Sequence, residues 1–245
     1  MNSMQQTIRG LALLLGVAIL LSLGSCYKDG ICIRGNGNPE IEIRGVGTFD
    51  EVINNGSFEV YIIPATYHEV EVDAESNLLP YIRTVVSGNR LFIETSDNRC
   101  INNSLNMIVR VYTPYADGIE LNGSGSVEAD DLYLDNLRLR LNGSGNIDVT
   151  NVDALDIEAT ISGSGVIYLS GIAETTDFSI SGSGNIESYS LNQLRCFANI
   201  SGSGNMYVRA SSLLDARISG SGNVYYRGNP DVIQRITGSG RVIKQ

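Results

Sequence analysis

Seven times along the second half of the chain, a Gly-Ser-Gly tripeptide separates two stretches in which apolar and polar residues alternate. The tripeptides begin at Gly123, Gly143, Gly163, Gly182, Gly202, Gly220 and Gly238, at spacings of 20, 20, 19, 20, 18 and 18 residues. Two places before the first Gly stand Leu121, Leu141, Ile161, Ile180, Ile200, Ile218 and Ile236. Two places after the last Gly stand Val127, Ile147, Ile167, Ile186, Met206, Val224 and Val242. The positions between and outside them are mostly polar. Period-two alternation on both sides of a turn predicts two half-buried strands per repeat. No apolar set recurs at three and four, so helices are excluded.

The repeat length selects the architecture. About twenty residues is short for a propeller blade, which needs roughly forty. Identical residues at identical places stack like on like only if successive copies lie parallel and in register. The prediction is an all-β fold, a single-stranded right-handed parallel β-helix, with rungs about 4.8 Å apart and seven copies spanning roughly 30 Å. Gly at the corner permits positive φ. Asn122, Asn142, Ser162 and their equivalents precede it and can bond the turn backbone. Asn146, Asn185, Asn205 and Asn223 follow it as an expected Asn stack.

The segment 41–118 is less regular. Alternation predicts strands at 41–44, 58–63, 70–73, 90–95 and 107–113. Asn55-Gly56-Ser57 and Ser87-Gly88-Asn89 resemble decayed copies of the corner, and residues 77–80 a loop or one helical turn. We therefore expect one domain over 41–245, with 41–118 as irregular rungs and a cap, because solenoids need atypical terminal units. The bare opposite edge, with Arg241 and Lys244 as guards, raises self-association through rung ends as a further expectation.

The first 25 residues read as a leader: Arg9, an apolar run over 11–23, then Gly24-Ser25-Cys26. Small residues directly before a cysteine at the end of the apolar run predict cleavage before Cys26 and its lipidation. Residues 26–40 would link the anchor to the domain. This implies an outer-membrane lipoprotein of the cell envelope, held to the membrane by its lipid.

Beyond the leader the chain carries 16 basic and 27 acidic residues, a balance of −11, which argues against nucleic acid as a partner. Cys32, Cys100 and Cys196 remain, so at most one disulfide forms. An oxidising compartment permits Cys32 with Cys100, and the sequence leaves the pairing open. His68 is the sole histidine, which argues against a zinc site. No cofactor motif occurs.

Candidate chemistry sits in the outward columns. Tyr168, Tyr207 and Tyr225 share one column and would form a binding strip for glycan or protein; the bland alternative is ladder packing. Glu128 and Asp148 fall on adjacent rungs of that column, as a carboxylate pair or a solvated acidic face. Arg140, Arg217 and Arg235 fall in another column, as ladder partners of acids rather than an anion site. No catalytic residue is assigned.

The forms Asn142-Gly143-Ser144-Gly145-Asn146-Ile147-Asp148 and Ser181-Gly182-Ser183-Gly184-Asn185-Ile186-Glu187 resemble the family of putative auto-transporter adhesins with a head GIN domain. Val46-Gly47-Thr48-Phe49, Phe58-Glu59-Val60-Tyr61 and Leu78-Leu79 match its flanking pattern. The resemblance covers nearly the whole mature chain and implies a β-helix on a lipoprotein, with an adhesin-like or structural role and no catalytic residues to transfer. The alternative function is a carbohydrate-active enzyme, a lyase or hydrolase, on the same scaffold.

Overall fold

The computed structural model describes residues 32–96 and 99–245. Cys26 and the leader lie outside the described residues. Nine strands fill the first half: β1 (Ile33–Arg34), β2 (Pro39–Gly45), β3 (Glu51–Asn55), β4 (Glu59–Pro64), β5 (Glu69–Glu75), β6 (Ile82–Ser87), β7 (Arg90–Thr95), β8 (Ile101–Asn102) and β9 (Ile108–Thr113). One 3-10 turn, Leu79–Tyr81, precedes β6. The repeats give β10 (Gly118–Leu121), β11 (Ser126–Asp130), β12 (Tyr133–Leu141), β13 (Asn146–Ile161), β14 (Val166–Gly182), β15 (Asn185–Gly202), β16 (Asn205–Gly220), β17 (Asn223–Arg227), β18 (Asp231–Gly238) and β19 (Arg241–Lys244). No α-helix occurs among the described residues.

Every pairing between repeats is parallel. The chain is thus a parallel β-solenoid. Leu141, Ile161, Ile180, Ile200 and Ile218 stand over one another before the corner, each at most 2% exposed. Ile147, Ile167, Ile186, Met206 and Val224 do the same after it, all at 0%. Each fully buried aliphatic contributes about 1.5–3 kcal/mol of transfer free energy. Variation in repeat length is absorbed away from the Gly-Ser-Gly corner, where register shifts fall between Val149 and Val152, between Tyr168 and Ser170, and between Ser188 and Arg195.

The corner needs glycine mainly for room. The Ser144 and Gly145 N–H groups both donate to the Gly123 carbonyl, at 3.1 and 3.2 Å. A Cβ on Gly143 would stand 2.1 Å from that oxygen, and one on Gly145 would stand 2.2 Å from the Gly125 oxygen. Positive φ is confined to the first Gly of the last four copies, from +125° to +150°. The positive φ that glycine permits is thus used in only four corners, whereas close approach of the rung beneath excludes a side chain in all seven.

The irregular half joins the same ladders. β3 pairs with β10 and β4 with β11, both parallel, and Asn122 Nδ2 donates to Asn55 Oδ1 at 2.9 Å. Asn55-Gly56-Ser57 is thus a rung corner, as expected. Ser87-Gly88-Asn89 is not: it closes an antiparallel hairpin between β6 and β7, with Gly88 at φ +65°. β5 is antiparallel to both β2 and β9. In β2, Glu42 and Arg44 register with the buried Val72 and Val70, so its charged residues face the core end. The Arg44 guanidinium donates to the carbonyls of Ile82 at 2.7 Å and Leu79 at 3.1 Å. Inward charge closes this end of the sheet to further pairing.

The Glu75 carboxylate stitches the cap. It accepts from the backbone N–H of Gly37 and Ser104 and from the Ser104 hydroxyl. These bonds, the Ser104 hydroxyl first, hold its pKa down at about 2. Cys32 and Cys100 are each disulfide-bonded, and the Ile33 N–H donates to the Cys100 carbonyl at 2.9 Å. Cys196 is free and buried in the core, and burial pushes its thiol up to about 12.

Candidate functional site

Outward side chains of the post-corner strands form a column set by register. It runs from Arg110 over Tyr61 to Glu128, Asp148, Tyr168 and Glu187, then to Tyr207, Tyr225 and Ile243. The predicted tyrosines therefore do share a column, but not as one strip. Glu187 separates Tyr168 from Tyr207.

Ring geometry decides what the column can bind. Tyr207 and Tyr225 stack on each other at 5.0 Å with planes 9° apart, and Tyr189 meets Tyr207 edge-on at 5.6 Å. The Arg227 guanidinium lies 4.0 Å over the Tyr189 ring. The apposed faces of Tyr207 and Tyr225 are consumed by each other, and one Tyr189 face is covered by Arg227. Such stacks strengthen the ladder and take one face of each ring out of reach of a ligand. Ladder packing is the better account of Tyr207 and Tyr225. Tyr168, 43% exposed, stands between Asp148 and Glu187 with no stacked ring among the described residues.

The other end of the column is concave. A groove of about 490 Å³ is lined by Tyr61, Ile62, Ile63, Ile108, Arg110, Glu128, Asp130, Asp148 and Thr150. Glu128 and Asp148 register directly, as the sequence predicted. Burial raises the Asp148 carboxyl above the usual carboxylate range. The charge of Glu128 raises the Tyr61 hydroxyl. Asp130 is held low, chiefly by the Thr150 hydroxyl at 2.6 Å and then by Asn151 at 2.9 Å. Arg110 is paired with Glu71 at 2.5 Å and lies 3.9 Å from Asp73, so its charge is spent away from the groove. The result is an acceptor-rich wall over an aliphatic floor. It suits hydroxyl or ammonium donors and repels anions. Among the described residues no cluster of three or more His, Cys, Asp or Glu is arranged to hold a metal.

Tyr61 and Arg110 were not singled out in the sequence. Tyr61 lies on β4, just after the irregular corner Asn55-Gly56-Ser57, and Arg110 lies on β9, which follows no such corner. Only the parallel pairing of β4 with β11 brings them beside Glu128.

On the pre-corner sheet, Arg217 and Arg235 are direct rung neighbours, whereas Arg140 lies opposite Glu120 and Thr160. Arg217 and Arg235 both reach Oδ2 of the buried Asp215, at 3.1 and 3.6 Å. No helix among the described residues is long and apolar enough to cross a membrane.

A parallel solenoid whose rungs repeat every 18–20 residues belongs to the class of repetitive β-helical proteins. The chain is a member of the putative auto-transporter adhesin, head GIN domain family, whose model matches residues 48–230. Among solved structures it is similar to a putative adhesin from Bacteroides fragilis, with 23% identity and a TM-score of 0.81 over 87% of this chain and 100% of that one. A putative lipid binding protein from Parabacteroides distasonis matches with 26% identity and a TM-score of 0.73, covering 87% and 99%. A putative adhesin from the same organism matches with 26% identity and a TM-score of 0.68 over the same shares. No curated protein matches the chain.

Proposed function

We propose that this chain is a non-enzymatic module of the cell envelope, anchored through a lipid on Cys26, that binds a hydroxyl-rich glycan in the Tyr61–Asp148 groove. The carrying observation is the groove itself: acceptor side chains from three neighbouring strands, β4, β11 and β13, held in register beside Ile62, Ile63 and Ile108. Carboxylates accept sugar hydroxyls, and aliphatic side chains cover the C–H faces of a pyranose. Membership of a family described as adhesins supports a surface-binding role.

Glycan arrays probed with the full mature chain should show binding to neutral or amino sugars. Glu128→Gln with Asp148→Asn should weaken it about tenfold or more, as expected for lost charged hydrogen bonds. Tyr207→Ser with Tyr225→Ser should leave it unchanged. Incorporation of labelled fatty acid that disappears in Cys26→Ser would establish the anchor; incorporation that persists would refute it.

A second reading, a glycan-cleaving enzyme, draws on the same two carboxylates. One sits beside the other on the next rung, and burial raises Asp148 toward the range of a general acid. New reducing ends released by the wild type and not by Asp148→Asn would replace binding with cleavage as the function.

A further inference from the structure

Charge is segregated along the solenoid. Residues 205–245 hold six Lys and Arg against two acids, a balance of +4. Residues 26–204 hold ten against twenty-five, a balance of −15. A net acidic chain thus ends in a cationic segment, and that segment supplies one end of a second groove of about 440 Å³, which runs across the pre-corner residues of β14, β15, β16 and β18.

One wall of this groove is the column Ser179, Asn199, Arg217, Arg235, and the other includes Ser219 and Thr237. The two arginines stand on adjacent rungs, about 4.8 Å apart along the ladder. Their side chains are 55% and 63% exposed. They share the one carboxylate of Asp215, which is 11% exposed, so one positive charge stays uncompensated. Each guanidinium carries five N–H donors in a planar fork, and Asp215 engages a single nitrogen of each. By contrast, Arg195 pairs with Glu174, and Arg138 with Glu158 and with Glu51, which also holds Arg90.

We propose that this groove is a binding site for an acidic glycan, a hydroxyl-rich chain that bears carboxylate or sulfate groups. Asp215 orients the two forks from beneath. Arg217 and Arg235 take the oxyanion of one sugar, because paired guanidinium donors fit such groups bidentately. The Ser179 and Asn199 end, where Asn199 also donates to the Asp177 carboxylate at 3.4 Å, takes the neighbouring uncharged sugar. A nucleic acid fits worse: the groove offers no aromatic platform for bases, and the acidic remainder of the chain repels a uniformly charged backbone. The site is separate from the acidic groove, so neither proposal depends on the other.

Calorimetric titration of the full mature chain with three oligosaccharides of equal length tests this: a uronate, a sulfated sugar and a neutral glucan. At least one acidic ligand should bind about tenfold or more tightly than the glucan, and the two acidic arms identify the oxyanion. The triple variant R217Q/R235Q/D215N removes the arginines without leaving a buried carboxylate unpaired. It should lose about tenfold or more in affinity with its melting temperature held. R209Q/R227Q removes two charges from the other sheet and should change affinity less than about threefold. Should the triple variant not fold, Ser219→Glu places a carboxylate in the wall, keeps both arginines, and should abolish binding of the acidic ligand. Equal binding of the neutral glucan, or equal loss in the two arginine variants, would overturn the site. So would binding confined to DNA or to anionic vesicles.

Discussion

The repeated rungs and the N-terminal cap bury the same kinds of residue by different rules. In the repeats each rung has a near-copy of itself above and below. Every position is therefore constrained by its own kind, and a tripeptide that fits once must fit seven times. In the cap, strands meet unlike partners. β5 lies antiparallel to β2 and β9, and β6 to β7. No rule forces the cap strands to resemble one another, and they do not. Repetition is the cost of parallel stacking, and irregularity is what lets a cap turn its charges inward.

The largest expected effect follows from the corner. Gly143→Ala would drive a methyl to 2.1 Å from a backbone oxygen that cannot move without shifting the rung below. We expect a loss on the order of 4 kcal/mol or more, in the exceptional range for point changes. Gly88→Ala in the cap hairpin meets nothing within 4 Å and bears only the cost of positive φ, about 1–2 kcal/mol. Denaturant melts of the two variants that coincide would show that crowding at the corner is not what selects glycine.

Core packing should not distinguish the regions. Ile200 in the repeats is 2% exposed and Ile93 in the cap is 0% exposed. Truncating either to Ala should cost about 2–5 kcal/mol. If only Ile200→Ala destabilises the chain in thermal or denaturant melts, the cap is not part of the same cooperative core.

Much of this was legible in advance, and the reason is physical. The Gly-Ser-Gly corner, the two inward columns and the parallel register all follow from like stacking on like, which repetition makes visible. Asn55-Gly56-Ser57 was legible because it sits under Gly123 and keeps the same corner. The hairpin at Gly88 is ambiguous in the sequence, since Gly beside a polar residue suits both a corner and a two-residue turn. Strands β3 and β6 carried too little alternation to be found. The acidic groove was half visible: Glu128 and Asp148 lie in the repeats, but Tyr61 and Arg110 join them only through tertiary pairing. That Tyr207 and Tyr225 would spend their facing surfaces on each other is a matter of rotamers, which no column of letters contains.

Acid should separate the regions in a different way. The folded pKa of Glu75 is depressed to about 2 from an ordinary value near 4.5. A depressed carboxylate contributes stability above its unfolded pKa and loses it as pH falls through the folded one. The window is therefore pH 4.5 down to 2. Within it, amide exchange at residues 35–37 and 104–105 should accelerate while the Gly-Ser-Gly corners stay protected. Glu75→Gln should show the faster exchange already at neutral pH. Corners that open together with the cap would mean that the two regions unfold as one unit.

The smallest effect probes the rule of like on like within the repeats themselves. Asn205 and Asn223 each donate both a backbone N–H and a side-chain N–H to the asparagine one rung below, at 3.0–3.4 Å. Asn146, the fourth member expected in that stack, is interrupted by Val166 on the next rung. There the backbone N–H groups of Asn146, Val166 and Asn185 instead donate to Gly125, Gly145 and Gly165, at 3.1–3.2 Å. Asn205→Ala strips the acceptor from Asn223, which must then turn to the carbonyl of Gly222's counterpart beneath, as the earlier rungs do. Two side-chain bonds are lost, Asn205 Nδ2 to Asn185 and Asn223 Nδ2 to Asn205, so the loss should be about 1–2 kcal/mol, the net worth of exposed hydrogen bonds rather than the larger cost of an orphaned donor. Asn146→Ala should cost close to nothing. A loss for Asn205→Ala well beyond that, read from chemical denaturation, would mean that the later corners cannot revert to the carbonyl pattern. The shift to positive φ at Gly182 and beyond would then be a change of corner type that the asparagines enforce, not one they merely accompany.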